Sequence, residues 1–151
     1  MIISGFPGIG KSSHQGNGLI DLESSNFWIG EEGRKVRPEG WYESYCNVAV
    51  DLADQGYIVF VPTHKAVRMQ LKKLGVDYKV IFPDDSLKEP WINRLEERYV
   101  FSPSDKNYKA WRAVKDHWED MQSDLSEESG SLVLKDMDYD LRELVDLCTH
   151  K

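Results

Sequence analysis

Only two cysteines, Cys46 and Cys148, occur in 151 residues, far apart and outside any metal-ligand spacing. That excludes a disulfide framework and a cysteine-based zinc site, and a reducing cytoplasm is the expected setting. Long apolar runs are missing too: nowhere is there the ~20-residue stretch that a membrane-spanning helix needs. No basic start precedes an apolar stretch, so no secretory leader and no membrane partner are expected. Internal repeats and low-complexity tracts are absent. Positive charge is in deficit, 19 Lys and Arg against 26 Asp and Glu, for a formal net charge of −7. An extended nucleic-acid-binding surface is not expected at that balance, although a small local basic site is compatible with it. What is present is 40% hydrophobic residues and five tryptophans. That is enough for the core of one domain over residues 1–151, acting as a monomer or homodimer.

The most informative stretch is Met1-Ile2-Ile3-Ser4-Gly5-Phe6-Pro7-Gly8-Ile9-Gly10-Lys11-Ser12-Ser13. A short apolar run, a strand by composition, leads into Gly5-x-x-x-x-Gly10-Lys11-Ser12, the complete pattern of a phosphate-binding loop. Gly5, Gly8 and Gly10 allow backbone dihedrals that side chains forbid, so the N–H groups of Phe6, Pro7's neighbours, Ile9 and Ser13 can curl round an anion. A helix start at Lys11 adds its N-terminal dipole. In such a loop Lys11 reaches the β- and γ-phosphates of ATP, and the Ser12 hydroxyl ligates Mg²⁺.

Along the chain, near-continuous apolar runs alternate with helical periodicity. Strands are predicted over Ile2–Ser4, Leu19–Glu23, Tyr57–Val61, Tyr78–Phe82 and Leu132–Leu134. Helices are predicted as a short turn at Lys11–Gln15, then over Trp41–Gln55, from Lys65 to Leu74, from Ser86 to about Arg98, Lys106–Leu125 and Tyr139–Leu147. Residues 30–40 read as loop, with three glycines and a proline. Ser86 with Glu89 reads as a capping box. Trp111 and Trp118, a heptad apart, belong to a core. The alternation implies an α/β fold with a roughly five-stranded, mainly parallel sheet covered on both faces, its ligands at one sheet edge.

Around that edge the sequence offers several chemistries. Asp21 and Glu23, two apart on a strand, share a face. Asp21 is a candidate Mg²⁺ partner or proton acceptor, and Glu23 or Ser24 a contact to the acceptor. The strand Tyr57–Val61 ends in Pro62-Thr63-His64 without a carboxylate, so either Asp21 takes that place or Mg²⁺ is held by Ser12, phosphates and water alone. His64 is open between a capping and a substrate role, and Arg68 is a weaker phosphate contact. Arg94 and Arg98 lie four apart on one helix face, where like charges repel unless an anion lies between them. The break at Ser102–Asp105 follows, so residues 86–110 suit a closing lid. Trp28, Trp41 and Tyr42 flank the 30–40 segment and divide between base stacking and packing. Lys135, after the last strand, suits a loop over the donor's adenine.

These residues in this order resemble the small phosphate-loop kinases, and among them the short nucleoside-monophosphate-kinase-like proteins of bacteriophages and their hosts. The resemblance rests on Gly5-x-x-x-x-Gly10-Lys11-Ser12, Asp21-x-Glu23-Ser24-Ser25, His64-Lys65-x-x-Arg68 and Arg94-x-x-x-Arg98. It implies a three-layer α/β/α fold, ATP as donor, Mg²⁺, an acceptor-binding segment at about 24–56 and an arginine-bearing lid. For a phage-encoded chain it implies the host cytoplasm. Departures are the shortened first helix, Glu23 where an Asp-x-Asp pair would end, and the missing Walker-B Asp. They leave the acceptor open between a nucleoside monophosphate and a hydroxyl of a small metabolite or nucleoside. A nucleotide-binding switch without catalysis is the reading from another class.

Overall fold

The computed structural model describes residues 1–10, 18–22, 29–31, 34–36 and 40–149. The apolar runs form strands β1 (Ile2–Gly5), β2 (Leu19–Asp21), β3 (Ile29–Glu31) and β4 (Arg34–Val36), followed by helix α1 (Trp41–Asp54). Strand β5 (Ile58–Pro62), helix α2 (Lys65–Lys73) and strand β6 (Tyr78–Pro83) come next. Helices α3 (Lys88–Phe101) and α4 (Asp105–Leu125), strand β7 (Ser131–Leu134) and helix α5 (Leu141–Thr149) complete the order. The fold class is α/β, with a five-stranded parallel sheet in the order β2-β5-β1-β6-β7. No helix among the described residues is long and apolar enough to cross a membrane.

Three local expectations change. Part of the segment read as a loop over residues 30–40 is a hairpin, β3 with β4, antiparallel with Ile29 opposite Val36. Strand β2 ends at Asp21, so Glu23 lies outside both the strand and the described residues. The cap before α3 is not Ser86. The Asp84 carboxylate accepts from Ser86 N at 3.1 Å and closes a 3-10 turn over Asp85–Leu87. An aspartate bonding the amide two residues on is a favoured turn in itself, and it pre-empts the capping box. Helix α3 then starts at Lys88, with Pro90 in its first turn, where its missing N–H leaves no bond unmade.

By contact density the chain divides into two units. The first comprises residues 1–5 and 11–79. Here β5 pairs in parallel with both β1 and β2, with Ile2 opposite Val59 and Asp21 opposite Phe60. Parallel strands covered by helices should be apolar on successive residues, and Val59, Phe60 and Val61 are all buried. Helices α1 and α2 supply Trp41, Tyr45, Cys46, Ala49, Val67 and Leu71 to one core cluster with Ile2, Val59 and Val61. Burial there pushes the Cys46 thiol up to about 11, so it behaves as a small apolar side chain.

The second unit comprises residues 6–10 and 80–151. Strands β6 and β7 pair in parallel from Val80 opposite Ser131 to Pro83 opposite Leu134. Its core is aromatic. Phe6 meets Trp91 and Trp118 edge-on, with ring centroids 6.1 and 5.8 Å apart. Each such pair contributes about 0.5–1.5 kcal/mol beyond the area it buries. The Trp118 indole also donates to Asp85 Oδ1 at 2.7 Å. Trp111, expected in the core with Trp118, is only half-buried; it stacks on Tyr99, with Arg112 and Lys115 over its ring. Helices α3 and α4 meet at a corner tied by side chains: Ser104 Oγ accepts from Asn107 N at 3.0 Å, and Asn107 Nδ2 donates to Ser102 O at 2.7 Å.

Candidate functional site

The loop Phe6–Gly10 follows β1 directly, and Phe6 N donates to Ile81 O at 3.0 Å. Gly8 and Gly10 take φ of 92° and 99°, the left-handed region that side chains avoid. Ile9 N closes a turn on Phe6 O at 3.3 Å. Gly8 and Gly10 are therefore needed for backbone shape, as the sequence predicts, whereas Gly5 ends β1 without a left-handed φ.

The loop's next three carbonyls each accept a side chain from far along the chain. Trp91 Nε1 donates to Pro7 O at 2.8 Å, Arg94 Nη1 to Gly8 O at 3.3 Å and the Tyr139 hydroxyl to Ile9 O at 2.9 Å. Arg94 ties the donors together. Its Nη1 also donates to Tyr139 Oη at 3.0 Å and its Nη2 to Met137 O at 2.7 Å. The guanidinium lies over the rings of Trp91 and Tyr139, 4.7 and 5.5 Å from their centroids, and those rings stack within 8° of parallel. Burial raises the Tyr139 phenol above its ordinary value, against an opposing pull from the Arg94 charge. The phenol therefore stays protonated and keeps its donor.

Gly8 is enclosed as well as left-handed. A Cβ there would sit 3.0 Å from Leu95 Cδ2 and 3.1 Å from Trp91 Nε1. The two penalties, about 1–2 kcal/mol for the dihedral and about 1–3 kcal/mol for overpacking, fall on one residue. Gly8→Ala is therefore expected to lower the melting temperature by several degrees and to displace the Trp91 indole. Thermal melts followed by tryptophan emission measure both, and an unchanged melt would mean that α3 does not press on the loop.

Of the other residues singled out by the sequence, Lys11, Ser12, Ser13, Glu23, Ser24 and Trp28 lie outside the described residues. Gly5 is buried at the end of β1 and pairs with Pro62. Asp21 is half-buried at the C-terminal end of β2, and the next residue continues the ladder through Leu22 N to Phe60 O at 3.1 Å. The Tyr45 hydroxyl fixes that strand end from α1, donating to Leu22 O at 2.6 Å. Trp41 is buried, edge-on to Tyr42, Tyr45 and His64, and Tyr42 packs partly against the same core. For Trp41, packing is the reading the structure supports. His64 stands at the N-cap of α2 with no side-chain cap bond, and the residue is exposed. Arg68 is buried, and its Nε donates to Thr63 O at 3.0 Å, fastening the turn that carries His64.

On α3, Arg98 is half-buried one turn beyond Arg94. Its carbonyl accepts from Ser102 N at 3.0 Å, but among the described residues no hydrogen bond or ion pair engages its guanidinium. The two arginines read as a pair from the sequence are thus placed differently, since Arg94 faces protein acceptors. Lys135 pairs with Asp84 at 2.6 Å, and this contact, with the Ser86 amide, holds the Asp84 carboxyl well below the usual carboxylate range. Trp91 and Tyr139 are the site residues that sequence reasoning missed. The available signal was Trp91-x-x-Arg94, which puts an indole and a guanidinium on one helix face. Nothing local marked Tyr139. A comparison with protein-family models finds no match to this chain, and a comparison with curated proteins finds none either.

Proposed function

We propose that this protein is an ATP- and Mg²⁺-dependent phosphotransferase of the phosphate-loop type, acting on a nucleoside monophosphate. The observation that carries the reading is the loop itself. A Gly5-x-x-x-x-Gly10-Lys11-Ser12 sequence coincides with two left-handed glycines and a backbone whose carbonyls are held by side chains. A side chain at Gly8 would run into Leu95 and Trp91 of α3, so glycine is what lets the loop keep this tight backbone, the kind of backbone a phosphate chain can approach. Parallel strands with a site beyond their carboxyl ends agree with this placement.

In this reading the loop amides and Lys11 bind the donor's phosphates, and Ser12 and Asp21 hold Mg²⁺. When bound, Mg²⁺ neutralises charge developing on the transferred group. Asp21, in this reading, orients the metal's water or the attacking oxygen. Glu23, Ser24, Trp28, Tyr42 and His64 contact the acceptor, and Lys135 borders the donor. Arg98, with a guanidinium that no described residue engages, stabilises the moving phosphoryl group.

The direct test is ADP formation from ATP and Mg²⁺ across a panel of ribo- and deoxynucleoside monophosphates, with nucleosides and small alcohols as the second arm. Turnover restricted to monophosphates supports the proposal; turnover on hydroxyls alone moves the acceptor to a metabolite, and none with any acceptor sinks it. Within the active pair of substrates, Asp21→Asn is expected to lower kcat about a hundredfold, the scale of losing a general base. A neutral outcome would return Asp21 to an ordinary strand end.

A further inference from the structure

We propose that Trp91, Arg94 and Tyr139 form a clasp that sets the direction of the loop's amides, making them positioning residues for a polyphosphate. The inference rests on the reading of the loop as a phosphate site. In a trans peptide the C=O of one residue and the N–H of the next point to opposite sides of one plane. The chain has no cis peptide bond among its described residues. Holding the Pro7, Gly8 and Ile9 carbonyls on the side of α3 and Tyr139 therefore sets the amides that follow them: the Ile9 amide closes the turn onto Phe6 O at 3.3 Å, and the Gly8 and Gly10 amides are directed away from the clasp. Amides turned away from the clasp on either side of that turn line an anion-binding concavity. A loop with two left-handed glycines has many alternatives in which one plane flips, and each flip would turn a carbonyl dipole toward the anion. The clasp removes those alternatives before the ligand arrives, which is how preorganisation raises affinity.

The geometry also assigns roles within the clasp. Arg94 bonds Gly8 O, Tyr139 Oη and Met137 O at once, a task for a planar fork that a lysine cannot reproduce. The Tyr139 hydroxyl both accepts from Arg94 and donates to Ile9 O, so it passes the constraint to the end of the loop. The contacts that reach the loop go to its backbone carbonyls, on the side away from the amides. The clasp should accordingly act on phosphate recognition and not on the base.

The experiment titrates wild type, Tyr139→Phe and Arg94→Lys with Mg²⁺-pyrophosphate, MgATP and adenosine, well below the melting temperature. Tyr139→Phe keeps the stacked ring and loses only the hydroxyl. It should weaken pyrophosphate and MgATP equally, by roughly threefold to tenfold, the net worth of one hydrogen bond. Arg94→Lys should weaken both by roughly tenfold or more. Adenosine binding should be unchanged, and KM for ATP should rise with kcat within about twofold. Unchanged pyrophosphate affinity in both variants, or a loss confined to ATP and adenosine, overturns the clasp. Absence of pyrophosphate and MgATP binding by wild type overturns the phosphate-loop reading, and the clasp with it.

Discussion

Lys11→Ala is expected to abolish phosphoryl transfer, with kcat/KM reduced roughly a thousandfold or more. The reasoning is electrostatic. A fixed ammonium at the β- and γ-phosphates opposes charge that grows as the bond to the leaving group breaks, in a site where water is scarce. The loop's amides cannot substitute for it, because their partial charges are aimed by the clasp and carry no net charge. A substitution outside a packed core changes stability by no more than about 0.5 kcal/mol. Circular dichroism and a thermal melt beside the kinetics will therefore distinguish lost chemistry from lost fold. Turnover near the wild-type value in a folded Lys11→Ala protein would mean that the motif is a structural turn and not a catalytic loop.

The second large effect is expected at Arg98, and its contrast with Arg94 is what makes it informative. The sequence presents the two as equals, one turn apart on a helix. The structure gives Arg94 three protein acceptors and two aromatic faces, whereas no described residue engages Arg98. If Arg98 meets the transferred phosphoryl, Arg98→Ala should lower kcat about a thousandfold while the Kd for ATP moves little, because that contact strengthens only in the transition state. Arg94→Ala should show the opposite split, a weaker Kd for ATP and a lower melting temperature. Rapid-quench turnover and nucleotide titration on both variants test this pair. Equal effects on kcat would assign both arginines to the phosphoryl group. No effect at Arg98 would favour a nucleotide-binding switch over a kinase.

The fold was legible wherever local pattern and tertiary environment agree. The apolar run Ile58–Val61, the α1 stripe of Tyr45 and Ala49, and the Gly5–Gly10 glycines each appear where periodicity or turn chemistry put them. Legibility failed where a local rule had a stronger local rival, as when Asp84 took the turn that Ser86 suggested. It failed again at β3 and β4, too short and too interrupted by glycine and charge to show alternation. The kink of α4 at His117, with φ of −126°, lies in a stretch without proline or glycine and carried no sequence signal. At the site, the loop was legible because its glycines fall within one short stretch, Gly5 to Gly10. Its anchors were not, because Trp91 and Tyr139 reveal their role only when the chain returns to the loop. The break at Ser102–Asp105 is legible in its serines and proline, but Asn107's bond to Ser102 O across it is not.

The distance between the loop and its anchors has a consequence for the newborn chain. Pro7, Gly8 and Ile9 are synthesised well ahead of their partners, which follow 84, 86 and 130 residues later. At about 5–20 residues per second, the Tyr139 anchor emerges roughly 7–26 s after the loop does. During that interval β1 can already find β5, but the peptide planes beyond it have nothing to hold them. A nascent chain of this protein should therefore bind ATP more weakly until Tyr139 has left the ribosome.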